Sequence, residues 1–407
     1  MPEDITTVIK PKYTEHIQDE KAVLWRSLNK PIEALPLRNW FNSKSKVCIT
    51  FTDITRATPN NRIIPWLLEY LSFIPPKNIT LLNSLGSHRP NTTEELEKML
   101  SPEVTKNYKI VHNDPENKDA HIKVGFLKDN TPALISRHLV EADVKIITGF
   151  IEPHFFAGFS GGPKGVLPGV AHIDSIMANH RTENIAHPNA TFGITDGNPI
   201  WEEMKDIALK IGPSFLINVT LNDERKITGI FAGDIIKAHK KGTEFVKANA
   251  MQQVNEKFDI VITTNSGYPL DLNLYQGVKG MSAAAKIVKK GGAIILACEC
   301  RDGIPFKSSY EKLLHSGNNP DNLLQKISES GGVIPDQWQV QIQAQIQKNA
   351  IVYLYSSLPD DIVKSAHFIP TKNIERTVSE IISARGGKVK IAVLPQGPLT
   401  IPYLAES

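Results

Sequence analysis

Residues 149–180 of this chain bring together His154, Lys164, His172 and His180 around a loop holding Gly158, Gly161, Gly162, Gly165 and Gly169. Glycines let a backbone turn sharply and approach a ligand closely, and successive amides can form an anion-binding concavity. A lysine amine can attach a cofactor covalently, and imidazole moves protons near neutral pH or ligates a divalent metal. The stretch has the makings of a cofactor site.

Further polar groups follow other segments that read as strands. Thr52, Asp53 and Arg56 come after residues 46–51, and His88 and Arg89 after residues 79–82. Tyr275, Gln276 and Lys279 follow a Ser266-Gly-Tyr-Pro269 turn, and Trp338 lies in the polar run Asp336-Gln-Trp-Gln339. Each has a plain structural reading: Thr52 or Asp53 as a helix cap, Arg56 paired with Asp53 on a solvated face, His88 as a bonded loop residue. Their joint occurrence at strand ends favours a site, because open α/β sheets take ligands there.

The elements that must position these groups alternate. Residues 46–51, 79–82, 144–148, 258–263, 293–297, 350–354 and 389–394 are short and apolar, as strands are. Residues 63–73, 92–100, 199–210, 232–249 and 283–290 read as helices between them. This is the pattern of an α/β protein with largely parallel sheets. At 407 residues the chain exceeds what one core usually serves. We expect two α/β domains, residues 1–255 and 256–407, the second Rossmann-like, with the active site between them. No strand is followed by a dinucleotide glycine fingerprint.

Charge and cysteine usage narrow the class. The 46 basic and 43 acidic side chains nearly cancel, leaving +3, which argues for a small soluble partner and against nucleic acid or a membrane surface. Cys48, Cys298 and Cys300 are too few for a disulfide framework, and we read them as structural. No basic segment leads into an apolar core at the amino terminus, and no apolar run reaches about 18 residues, so a cytoplasmic protein is expected.

Asp53-Ile-Thr-Arg56, Ser87-His-Arg-Pro90, the run from Glu152 to Lys164, Asn179-His180, Tyr275-Gln-Gly-Val-Lys279 and Gln337-Trp-Gln339 resemble, in order and spacing, the motifs of the nickel-dependent lactate racemase family. The resemblance spans about residues 45–400. It implies a nickel pincer nucleotide, that is Ni(II) pyridinium-3,5-bisthiocarboxylic acid mononucleotide, with Lys164 as the thioamide attachment point and His180 as the remaining nickel ligand. It implies inversion of a 2-hydroxy acid by proton-coupled hydride transfer, with His88 and His154 as the two proton-transfer histidines. Arg56, Lys279 and Gln276 would hold the substrate carboxylate and carbonyl, and Tyr275 and Trp338 would wall the pocket. Asp53 would orient Arg56 or meet the cofactor ribose; Thr52, Ser160, Gly161 and Gly162 would meet its phosphate. Cofactor-synthesis proteins are the implied partners.

Pro163 and Gly165 depart from the family pattern around Lys164, which leaves covalent and non-covalent holding both open. His172 and His187 match no role and are read as structural. Two other functions stay in view: a non-catalytic nickel or nucleotide-binding protein, which would not need both His88 and His154, and a hydroxy acid oxidoreductase, which would need another electron acceptor. The substrate could be lactate or a larger acid. A second cation at its far end, for which Arg89, Arg181 and Arg301 are the candidates, would point to a diacid.

Overall fold

The computed structural model describes residues 3–42, 44–330 and 334–404. Its elements form two six-stranded sheets with helices on their faces, the α/β architecture expected. Strands such as Val47–Thr52 and Val144–Phe150 are apolar and buried along nearly their whole length, as parallel strands covered on both faces must be.

In the first sheet the chain runs outward from Val47–Thr52 to Ile79–Ser84 and Lys109–His112, all parallel. It then crosses to the other side of Val47–Thr52 with Val144–Phe150, followed by Phe215–Leu221 and an antiparallel edge strand, Ile227–Asp234. The reversal creates a crevice between the carboxyl ends of Val47–Thr52 and Val144–Phe150, the place where open α/β sheets bind ligands. Asp53 and Arg56 leave one strand there, and the glycine-rich segment leaves the other.

The second sheet is parallel throughout. Phe258–Thr264, Val288–Ala297, Ile351–Tyr355 and Ile369–Thr371 are added in one direction, and Ile391–Leu394 returns to the far side of Phe258–Thr264. The amino-terminal strand Thr6–Val8 pairs beyond Ile391–Leu394, joining the start of the chain to the second sheet. Gln341, on helix Gln337–Asn349, donates to the carbonyl of Thr182 at 3.1 Å and links the second body to the first.

Two helices differ from expectation. Residues 232–234 end the strand Ile227–Asp234, and the helix is Lys237–Ala250. The helix expected at 283–290 is Leu274–Ala284, while Val288 to Lys290 begin the strand Val288–Ala297, where Val288 pairs with Phe258. Pairing with a strand 30 residues away outweighs the helix preference of a lysine-rich run. Among the described residues no helix is long and apolar enough to cross a membrane. All three cysteines are free and buried.

Candidate active site

A cleft of about 1030 Å³, counting its open mouth, lies over the crevice of the first sheet and is closed by helix Leu274–Ala284 and Trp338 from the second body. Thr52, Asp53, Arg56, His88, His154, Ser160, Gly161, Gly162, Lys164, His180, Tyr275, Gln276, Lys279 and Trp338 all line it, whereas Arg89, Arg181 and Arg301 do not. His172 and His187 do not: each accepts a backbone amide hydrogen two residues on, from Asp174 and Asn189, as local structural residues do.

Asp53 and His88 meet across strand ends 35 residues apart in sequence. Asp53 Oδ2 lies 3.1 Å from His88 Nδ1, while its Oδ1 accepts the Thr55 amide at 2.7 Å in a tight turn that also aims Arg56. Burial pushes the Asp53 carboxyl up, but His88, Arg56 and the Thr55 bond outweigh this and hold it well below the usual carboxylate range. A carboxylate on Nδ1 fixes a proton there, so in the neutral ring Nε2 of His88 is the nitrogen with the lone pair.

His154 sits on a two-residue hairpin strand, Pro153–His154, paired with Gly158–Phe159. Its Nδ1 accepts the Ala157 amide hydrogen at 3.2 Å, so the neutral ring carries its proton on Nε2. Phe155 and Phe156 pack on the ring with centroids 5.0 and 4.5 Å away. Burial, then the charges of Lys164, Lys279 and Arg56, drive its pKa well below the ordinary histidine value.

The glycine-rich loop is held from behind by two groups that sequence reading missed. Asn218 Oδ1 accepts the Gly162 amide at 2.7 Å, and His239 Nε2 donates to the Ser160 carbonyl at 2.9 Å. Gly161 and Gly162 have φ of +77° and +53°, and a β-carbon on them would collide with Asn218 and His239. The Ser160 and Lys164 amides donate inside the loop, to Glu152 and Gly161, so close packing demands these glycines whether or not a phosphate does. Gly165 lies against Ile147, where an added β-carbon would come within 2.6 Å of the Ile147 side chain.

This loop presents Lys164 on the turn Gly162–Gly165. Burial first, then Arg56 and Lys279, lower its pKa to about 7, so much of the amine is unprotonated near neutrality. Lys279 is lowered to about 7 by burial and Arg56. Glu152 faces these three cations from inside the cleft; burial raises its carboxyl, and Lys279, Arg56 and Lys164 pull it back. Its place in the Glu152-Pro-His154 motif was visible, but no spacing rule gave it a role.

His180 ends helix Ile173–Asn179, its ring between Phe156 and Trp338 at centroid distances of 5.1 and 5.0 Å. Burial and Lys164 lower its pKa to about 3. The turn is pinned by Glu203, a buried helix residue that accepts from Asn179, Arg181 and Asn184 at 2.9 to 3.2 Å. From the second body, Trp338 Nε1 donates to the Tyr275 hydroxyl at 3.2 Å, and that hydroxyl donates to Asp336 at 3.4 Å.

Among the described residues no three His, Cys, Asp or Glu side chains are grouped to hold a metal. A metal at His180 would therefore have to bring its other ligands with it. His180 suits that arrangement: it is neutral, it lines the cleft, and its buried Nδ1 makes no hydrogen bond of normal geometry. The half-deprotonated Lys164 beside it suits an acyl attachment, so the residues present fit a cofactor that chelates its own metal.

Comparison with known proteins identifies the family. The lactate racemase N-terminal domain model matches residues 1–193, and the lactate racemase C-terminal domain model matches residues 253–401. Lactate racemase from Thermoanaerobacterium thermosaccharolyticum is 37% identical over 383 residues, covering 93% of this chain and 89% of its own length. That from Lactiplantibacillus plantarum is 38% identical over 381 residues, covering 93% and 90%. The lactate racemase apoprotein structure from T. thermosaccharolyticum superposes with a TM-score of 0.92 at 34% identity, covering 100% of this chain and 96% of that one. A Thermotoga maritima protein shares the fold at a TM-score of 0.74 and 19% identity, over 95% of this chain and 98% of that one. With this agreement over nearly the whole length and the motif residues gathered in one cleft, the chain belongs to the lactate racemase family.

Proposed function

We propose that this protein is an isomerase that racemises or C2-epimerises a 2-hydroxy acid, lactate or a relative of it, with a nickel pincer nucleotide as cofactor. The observation that carries the reading is a single cleft holding an oriented histidine base, a second neutral histidine and three cationic side chains. His180 would ligate the nickel and Lys164 would lie at the attachment point. When bound, the cofactor supplies a hydride acceptor and donor at the substrate carbon.

The protein's own groups do the rest. Arg56 can take the carboxylate in a two-point grip, and Lys279 and Gln276 can orient the C2 oxygen. Nε2 of His88, its partner nitrogen held by Asp53, accepts the hydroxyl proton of one enantiomer. His154 would serve the C2 oxygen of the other enantiomer, where racemisation in both directions requires its ring to accept and return a proton in turn. Helix Leu274–Ala284 and Trp338 cover the cleft and limit water at the reacting carbon. The reading carries with it a division of the chain near residue 255, a cytoplasmic setting and delivery of the cofactor by separate synthesis proteins.

The test is to load the protein with the nickel cofactor and offer single-enantiomer 2-hydroxy acids in deuterated water, following configuration by chiral chromatography. Inversion with protium kept at C2 is expected, because hydride returns to the carbon it left. Deuterium at C2 would show proton abstraction instead, and no inversion of any acid would leave a cofactor-binding protein as the better account. Intact mass before and after Lys164→Ala reads the covalent link.

A further inference from the structure

Of the arginines that could hold a second substrate carboxylate, none is free to do so. Arg181 is bound to buried Glu203 and lies outside the cleft, and Arg301 pairs with Glu299 at 3.2 Å. Arg89 does lie beside the cleft, but both of its terminal nitrogens bond Glu95, at 2.6 and 2.9 Å.

The charge around the cleft follows the same pattern. Inside, Arg56, Lys164 and Lys279 stand with the carboxylates of Asp53 and Glu152. Two larger cavities adjoin it. One, of about 1210 Å³, meets it along Asp53, His88 and Tyr275 and adds the carboxylates of Glu95, Asp302 and Asp336 against Arg89 alone. The other, of about 1690 Å³, meets it at Phe150 and Glu152 and adds Asp223, Asp271 and Glu299 against Arg225 alone. Arg225 donates to the Tyr268 carbonyl at 2.7 Å. The exposed lysines Lys10 and Lys12 lie in a third cavity that touches the cleft only at Glu152. The three basic side chains of the cleft thus form a well bordered by further carboxylates in both larger adjoining cavities.

Resting on the racemase reading, we infer that the site selects 2-hydroxy monocarboxylates whose chain beyond C3 is uncharged and hydroxylated, and rejects dicarboxylates of the same size. One carboxylate enters the well. A second would face like charge in either adjoining cavity, while hydroxyl groups can donate to the carboxylates there. The volume of these cavities leaves room for chains longer than a methyl group.

The sharpest probe is a matched pair: 2,4-dihydroxybutanoate and malate differ only in a terminal CH2OH against a carboxylate. With the cofactor-loaded enzyme, kcat/KM for 2,4-dihydroxybutanoate should exceed that for malate by at least about tenfold, and added salt should narrow the gap. The double variant Asp302→Asn, Glu299→Gln should narrow it several-fold by improving malate. Equal use of the two acids, or a gap indifferent to salt and to the double variant, overturns the inference. Binding without turnover separates this from the parent reading: by calorimetry on the same chain, unreactive 4-hydroxybutanoate should bind at least about tenfold more tightly than succinate. Tighter or equal binding of succinate overturns the charge selection even if lactate is racemised. Preference for 4-hydroxybutanoate with no inversion of any hydroxy acid upholds the selection and sinks the racemase assignment.

Discussion

His88 and His154 reach the same cleft on supports of opposite character. His88 stands on a half-exposed loop with Asp53 on its Nδ1, and His154 is buried on a short hairpin with the Ala157 amide on its Nδ1. A carboxylate acceptor puts the proton on Nδ1, and an amide donor excludes it from Nδ1. In their neutral forms the two rings therefore differ at Nε2, a lone pair on His88 and an N–H on His154. Identical side chains take opposite tautomers because of what each strand end places behind them, although racemisation asks both to pass a proton. For true enantiomers kcat/KM must be equal in the two directions, so this asymmetry can surface only in kcat and KM taken separately.

The largest test of the comparison removes each ring. His88→Ala and His154→Ala should each lower turnover by about 10²–10⁴. His88→Ala should keep its nickel, whereas His180→Ala should lose it; equal metal loss in both would show the roles are misassigned. Next, Asp53→Asn should lower kcat by about 10–10³ by removing the anchor of His88, with metal content unchanged, and wild-type turnover in this variant would break the dyad argument. Glutamine substitutions sharpen the comparison, since an amide can donate an N–H but cannot take up a proton. His88→Gln and His154→Gln should each fall about as far as the alanine variants, and substantial turnover in His154→Gln would show that this ring serves only as a hydrogen-bond donor.

The smallest expected effect concerns stability. The cations that help keep His154 neutral include Lys164 and Lys279, each near pKa 7 in the folded chain against about 10.4 when unfolded. Between these values the unfolded chain binds more protons, so stability rises with pH across this window. Cofactor-free protein should melt on the order of 1–3 °C higher at pH 9 than at pH 7. Lys164→Met, Lys279→Met should flatten that slope, and an unchanged slope would place the titrating groups elsewhere.

Much of the site was legible because it is local. Asp53 and Arg56, His88, and the run from His154 to His180 each follow a short apolar strand, and the rule that open sheets use their carboxyl ends turns strand prediction into site prediction. The strand Phe215–Leu221 was harder to read because Asn218 sits buried in its middle, where it serves Gly162 56 residues away. His239 likewise supports Ser160 from 79 residues away. The helix Gln337–Asn349 alternates glutamine with Val340, Ile342, Ala344 and Ile346, a period nearer that of a strand. It is helical because its glutamines find buried partners all round: Gln339 on the Tyr275 carbonyl, Gln341 on Thr182, Gln343 on Tyr310.

The amino-acid order alone determined the α/β alternation, the strand ends that carry the reactive groups and the family they resemble, since each is written in contiguous residues. Tertiary structure decided which neighbour stands behind each group. Asp53 on His88, the Ala157 amide on His154, three cations around Glu152 and the acidic rim beyond them all come from chain segments brought together only by sheet order. Tautomer, pKa and substrate charge depend on those neighbours, because electrostatic and hydrogen-bond energies follow distance in space, not separation along the chain.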